Sequence, residues 1–336
     1  MRVSGMLGAD LDMAPLAITE LERRGYDAAF SAEINNDPFF PLVLAAEHSE
    51  NIALSTSISV AFARNPMTTA NLAWDLNQYS RGRFTIGLGS QIRQHITRRF
   101  SMPWSQPAAR MREFIQAMRA IWTCWATGEQ LDFEGRFYQH NLMTPMFTPA
   151  KKEFGAPGVH LAAVGPLMTQ VAAEVADGVI AHGFTTVKYL REVTLPAIER
   201  GLQVAGRDRA SLDISSPVMV VAGINEEAFA QSRLAVQGQI AFYASTPAYR
   251  PVLELHGWGD LQAQANQLTR AGRWDDMGAL ITDEILNTFA IVEEDLARVP
   301  AVLQERYNGL VDTWQCTLET GDSEKQRALV EAVQAG

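Results

Sequence analysis

Cysteine is scarce in this 336-residue chain: there are two, Cys124 and Cys316. They stand far apart and inside helical patterns. That excludes a disulfide framework or a Cys metal pair and leaves two buried thiols. Metal-ligand spacing is missing: there is no HxxxH, no CxxC and no dense Asp/Glu/His group, so no metal centre is expected. No GxSxG elbow is present for a Ser-His-Asp hydrolase. No apolar run is long enough to span a bilayer, and the N-terminus, MRVSGMLGAD, shows no cleavage site. A soluble, cytoplasmic protein without membrane contact is expected. Basic clusters are also lacking in a chain of net charge −10, which argues against a nucleic-acid partner. No repeat, low-complexity segment or composition break marks a linker.

Hydrophobic residues make up 47% of the chain, the level of a globular core. Their spacing alternates between short apolar runs and helical periods. Strands are predicted at residues 3–7, 26–31, 52–62, 84–86, 159–164, 179–181, 214–222 and 286–292. Helices are predicted at 11–24, 38–48, 66–79, 108–125, 167–176, 189–202, 226–243 and 294–307. Residues 131–140 (LDFEGRFYQH) read as a hairpin, and 246–277 as extra helical segments. Eight alternations favour an α/β fold, a single (β/α)8 TIM barrel with insertions after strands four and seven, over an open sheet. The barrel domain is expected over residues 1–320, with 321–336 as a tail.

The chain is organised around residues 76–104, LNQYSRGRFTIGLGSQIRQHITRRFSMPW. Arg81-Gly82-Arg83 ends a helix, Phe84-Thr85-Ile86 reads as a buried strand, and Gly87-Leu88-Gly89-Ser90 opens into a polar loop. Two glycines at a strand end let a ligand lie against the backbone, and a plain tight turn has the same look. Barrels place active-site groups at the C-terminal ends of strands. Strand two delivers Glu33, Asn35, Asn36 and Asp37. Strand three delivers Ser57 and Ser59, and strand four Gly89, Ser90 and Gln91 with Arg93 and His95 in its loop. Strand five ends in Val164-Gly165-Pro166-Leu167-Met168, where free N–H groups at a helix start suit a phosphate, although an ordinary βα turn reads alike. Strand six delivers His182, Gly183 and Thr185. Glu33 suits a general acid or base and equally a loop carboxylate. His95 and His182 are loop histidines, more often surface or packing residues than catalysts.

GYDAAFSAEINNDPF, LSTSISVAFARNPM, LNQYSRGRFTIGLGSQ, RMREFIQAMRAIW, LAAVGPLMTQVAAEVADGVIAHGF and DEILNTFAIV together resemble the luciferase-like superfamily of flavin and deazaflavin oxidoreductases. The F420-dependent branch, which includes methylenetetrahydromethanopterin reductase-like enzymes, is the nearest in pattern. The resemblance implies a TIM barrel with the cofactor ring at its C-terminal mouth. It implies a non-proline cis peptide at Ser57-Ile58 beneath the ring, an acidic group at Glu33, a phosphate turn at Gly165 to Met168 and cofactor contacts at Gly89, Ser90, Gln91 and Val164. Ile34 departs from the pattern where relatives often carry a His, and Val292-Glu293 where many carry Gly-Thr. The implied activity is hydride transfer between coenzyme F420 and a small organic substrate. Glu33 then lies near the ring, and His95 is the chosen substrate-side proton group. Arg93, Arg98, Arg99, Lys188 and Arg191 are available to an acidic cofactor tail. An FMN-dependent monooxygenase is the alternative, and a noncatalytic ligand-binding barrel the third. A homodimer is the implied assembly.

Overall fold

The computed structural model describes residues 1–274 and 276–336. Among the described residues the frame is eight strands: Arg2–Met6, Ala28–Ser31, Ala53–Thr56, Phe84–Gly89, Gly158–Ala163, Gly178–Ala181, Asp213–Ser216 and Thr313–Cys316. Counted along the chain, they lie in the order three, two, one, eight, seven, six, five, four, and the fourth pairs back onto the third. The sheet therefore closes as the expected parallel (β/α)8 barrel. Five of the six residues of Phe84–Gly89 are buried, as in parallel strands covered on both faces.

The third strand is interrupted: Ser59–Val60 resumes it and pairs with the fourth as Ser59↔Leu88 and Val60↔Gly89. The fourth strand runs on to Gly89, so the two glycines predicted as loop belong to the strand itself. Strand seven breaks before Met219–Val221, as a proline at 217 dictates, since it cannot donate to a ladder.

Both insertions stand where expected. Strand four is followed by the helix Pro107–Thr127 and the hairpin Phe133–Glu134/Gln139–His140. Strand seven is followed by the helices Glu226–Ala244, Arg250–Glu254, Gly259–Arg270, Asp283–Phe289 and Val299–Tyr307.

The last predicted strand is corrected. Most of residues 286–292 belongs to the helix Asp283–Phe289, and Ala290–Val292 pairs with Met219–Val221 in a separate two-stranded sheet. Local capping overrides the apolar content there: Thr282 Oγ1 accepts from Ile285 N–H at 3.3 Å, and Asp283 and Glu284 occupy the first turn. The eighth barrel strand is Thr313–Cys316, too short and polar (TWQC) to announce itself. Residues 321–336 contain a further helix, Ser323–Ala335.

The chain divides into two compact units. Residues Ser4–Ile180 with Ala197–Ile214 form one. Its helix Pro107–Thr127 buries Met111, Phe114, Ile115, Met118 and Trp122, the stripe the periodicity predicts. Trp74 and Trp125 meet edge-on at 5.5 Å, and Trp74 Nε1 donates to Lys151 O at 2.9 Å. Residues Met1–Val3, Ala181–Pro196 and Ser215–Gly336 form the other. Its core gathers Phe184, Ile240, Leu253, Leu286 and Phe289, with Phe184 and Phe289 stacked at 4.5 Å. Cys124 and Cys316 are both buried.

Candidate active site

The peptide bond Ser57-Ile58 is cis, at the position the resemblance implies. Its neighbours are tied down on one side: Ser57 N–H donates to Ser31 O at 2.7 Å, and Glu33 N–H donates to Ile58 O at 3.0 Å. On the other side lies Gly89. A Cβ there would stand 2.6 Å from Ile58 Cδ1 and 2.8 Å from Cγ1. Glycine at 89 thus lets Ile58 pack against the fourth strand without shifting its side chain, a role distinct from the ligand approach inferred from sequence.

Glu33 braces the same turn from above. Its Oε2 accepts from Val60 N–H at 2.8 Å and from Arg64 Nη1 at 2.6 Å. Arg64 Nη2 reaches Asp37 Oδ2 at 3.1 Å. The Glu33 side chain is 8% exposed and that of Arg64 17%. A carboxylate so placed is held in one orientation, while its Oε1 carries no hydrogen bond among the described residues. Arg64 is the residue that sequence reasoning missed. Its only signal was a cation in the otherwise apolar stretch after strand three.

The loop after strand four comes next. Ser90 Oγ donates to Gln91 O at 3.2 Å, and Gln91 adopts a left-handed conformation with φ +57°. Arg99 Nη2 donates to Ile34 O at 2.6 Å, which fastens this loop to the one after strand two. His95 sits at the start of a wide helical turn, His95–Arg99, exposed and without a side-chain hydrogen bond among the described residues.

The pairing of strand five with strand four, through Leu88↔Leu161, carries the Val164 to Met168 turn alongside. The helix Pro166–Val175 starts at Gly165 with no side-chain cap, and Pro166 has no N–H. The amides of Leu167 and Met168 are therefore left without helical partners. A Cβ at Gly165 would meet nothing within 4 Å, and Leu167 is 72% exposed. This end is open, donor-rich and positive in its dipole, so it fits an anion such as a phosphate. Of the predicted site residues, Glu33, Ser57, Ile58, Gly89, Ser90, Gln91 and the Val164 to Met168 turn share the C-terminal ends of strands two to five. His95 lies in the same loop cluster.

The sequence profile of the family described as luciferase-like monooxygenase matches residues 4–313. The chain belongs to that family. An uncharacterized protein of Mycobacterium tuberculosis is 50% identical over 312 residues, 93% of this chain and 92% of the relative. The 5,10-methylenetetrahydromethanopterin reductase of Methanolobus tindarius is 29% identical, over 87% of this chain and 84% of that one. Among solved structures, the coenzyme F420 dependent tetrahydromethanopterin reductase from Methanopyrus kandleri superposes with a TM-score of 0.80 at 22% identity. That match covers 98% of this chain and 96% of the neighbour. The family and the barrel read from the sequence are therefore those found.

The other unit holds a second group. His182 follows strand six directly. Phe184 N–H donates to its Nδ1 at 3.0 Å, and its Nε2 lies 3.1 Å from Tyr249 Oη. The ring stacks on Tyr249 at 4.5 Å and meets Tyr243 edge-on at 4.7 Å. Because Nδ1 accepts, the neutral ring carries its proton on Nε2 and donates to the tyrosine oxygen. Burial pushes the imidazole down to about 4, and burial followed by the nearby Tyr243 pushes the Tyr249 phenol up to about 12. Both groups are neutral at pH 7. Sequence alone left His182 as a loop histidine, because Tyr243 and Tyr249 come from the insertion more than sixty positions later.

Proposed function

We propose that this protein is an F420-dependent oxidoreductase that moves a hydride between the deazaflavin and a small organic substrate. The observation that carries the reading is the open, uncapped helix start at Gly165 beside the shelf formed by Ile58 and Gly89. A planar cofactor with a phosphate needs one flat wall and one cluster of free donors, and strands three to five supply both within a few residues. The similarity to a methylenetetrahydromethanopterin reductase and to a coenzyme F420 dependent enzyme supports the same direction.

In this reading Ile58 and Gly89 back the ring, Ser90 and Gln91 border it, and the Leu167 and Met168 amides hold the phosphate. The bound deazaflavin supplies the hydride chemistry. Glu33 keeps the shelf in place through Val60 and Arg64 and presents Oε1 as a fixed acceptor. His95, exposed on the strand-four loop, is the proposed substrate-side proton group. A homodimer is the assembly proposed with it.

The test is a titration of the purified protein with F420 and with FMN, followed by absorbance and fluorescence at two salt concentrations. F420 is expected to bind more tightly, and its binding to weaken as salt rises, because exposed charge pairs with its acidic tail are screened. Tighter FMN binding, with oxygen-dependent turnover of the reduced flavin, would replace this reading by the monooxygenase one.

A further inference from the structure

Strands six and seven are neighbours in the barrel. His182 follows the first and Ser216 ends the second, and both belong to the unit of Ala181–Pro196 and Ser215–Gly336. The two strand ends meet closely there: a Cβ at Gly183 would lie 3.2 Å from Pro217 O and 3.3 Å from Pro217 Cγ. Ligands of barrels gather at such C-terminal strand ends.

The Tyr249 phenol is a donor with nothing to donate to. Phe184 N–H occupies His182 Nδ1, so the imidazole holds its proton on Nε2 and gives it to Tyr249 Oη at 3.1 Å. The phenol cannot hand its own proton back to that nitrogen. Among the described residues no other acceptor takes the Tyr249 O–H. Two more hydroxyls at these strand ends share the condition. Thr185 Oγ1 and Ser216 Oγ belong to residues 8% and 0% exposed and have no partner among the described residues. Buried polar groups are hydrogen-bonded as a rule, so these hydroxyls mark a place that an oxygen-bearing ligand completes. Tyr243 meets Tyr249 edge-on at 5.9 Å. Both rings pack on the apolar core with one side and stay partly exposed on the other, which leaves aromatic surface for a ligand's body.

The same surroundings select against charge of either sign. Burial pushes the His182 imidazole down to about 4, and burial followed by Tyr243 pushes the Tyr249 phenol up to about 12. A place that resists an imidazolium and a phenolate alike resists an ammonium and a carboxylate for the same reason, the loss of water around the charge. A carbonyl group is neutral, accepts the Tyr249 O–H and brings no proton of its own to satisfy.

We propose that the ends of strands six and seven, with Tyr243 and Tyr249, bind a neutral ketone or aldehyde with a flat apolar body, and that Tyr249 donates to its oxygen. The site does not depend on which cofactor the protein uses. Isothermal titration of the full chain with acetophenone, with isopropenylbenzene (the same shape without the oxygen) and with benzoate tests it. Saturable one-to-one binding of acetophenone is expected. Isopropenylbenzene should bind about fivefold more weakly or worse for want of the hydrogen bond, and benzoate about tenfold more weakly or worse because of its charge. Tyr249→Phe, which deletes only the hydroxyl, should bring acetophenone to the level of isopropenylbenzene and leave the hydrocarbon unchanged. In the unaltered chain, nitrogen NMR should find the His182 proton on Nε2 at pH 7, and that signal should shift as acetophenone binds. No saturable acetophenone binding, equal affinity for isopropenylbenzene or benzoate, full affinity in a folded Tyr249→Phe chain, or a His182 proton on Nδ1 would overturn the proposal.

Discussion

Thr56 and Gly87 exchange two hydrogen bonds: Gly87 N–H donates to Thr56 Oγ1 at 2.9 Å, and Thr56 Oγ1 donates to Gly87 O at 2.7 Å. A threonine side chain here stands in for a strand partner at the point where strand three leaves its regular ladder, one residue before the cis bond. This locks strand four against the turn that Glu33 braces from the other side.

The contact makes the three glycines of the site unequal. A Cβ at Gly87 would lie 1.9 Å from Thr56 O, a backbone atom that cannot swing aside. Gly87→Ala should cost about 3 kcal/mol or more in urea unfolding. At Gly165 a Cβ meets open space, so Gly165→Ala should change stability by less than about 0.5 kcal/mol. If the proposed cofactor phosphate sits at this helix start, Gly165→Asp should lower cofactor affinity tenfold or more, about 1.4 kcal/mol, by setting a carboxylate in its place. Equal destabilisation by the two alanines would refute the distinction.

Arg64→Ala removes the cation from a carboxylate that is almost wholly covered. The expected loss is about 2–3 kcal/mol, because Glu33 stays buried with only Val60 N–H to satisfy it. Glu33→Gln in the same background should recover part of the loss, since a neutral amide needs no counter-charge. A double-mutant cycle read by denaturation shows this directly. Additive losses would mean that the pair does not act as a brace.

His182 gives stability a pH dependence of definite sign. Its folded value of about 4 lies below the ordinary 6.5, so the unfolded chain takes up this proton first. Stability should fall as pH drops through 6.5 and level off below about 4, a total near 3 kcal/mol. His182→Gln should flatten that segment of the profile whatever it does to stability at pH 7. Denaturation curves from pH 7 to pH 4 check the slope, and an unchanged slope would mean that the ring is not held neutral.

Deleting residues 322–336 should unfold much of the second unit. The helix Ser323–Ala335 buries Leu329, Val330 and Val333. Gln326 accepts from Thr320 N–H at 2.9 Å and donates to Leu318 O at 2.9 Å. Three buried aliphatic side chains alone correspond to about 5 kcal/mol. A truncated chain with an unshifted thermal midpoint would contradict this.

Local signals in the chain determined most of the fold. The apolar periods marked seven of the barrel strands and the helices between them. The helix predicted over 66–79 has that observed span, Pro66–Tyr79, and its start is fixed locally, since Asn65 Oδ1 accepts from Thr68 N–H at 3.0 Å using residues three apart. The same short range misplaced the eighth strand, since Thr313–Cys316 gains its identity only from neighbours in the ring. Tertiary structure alone decided what the site residues do. Arg64 meets Glu33 across 31 positions, Ile58 closes on Gly89, and Tyr249 reaches His182 across 67. These contacts are made by side chains whose own segments look unremarkable. Burial, and the hydrogen bonds that burial demands, assign their roles after the chain has closed into a barrel.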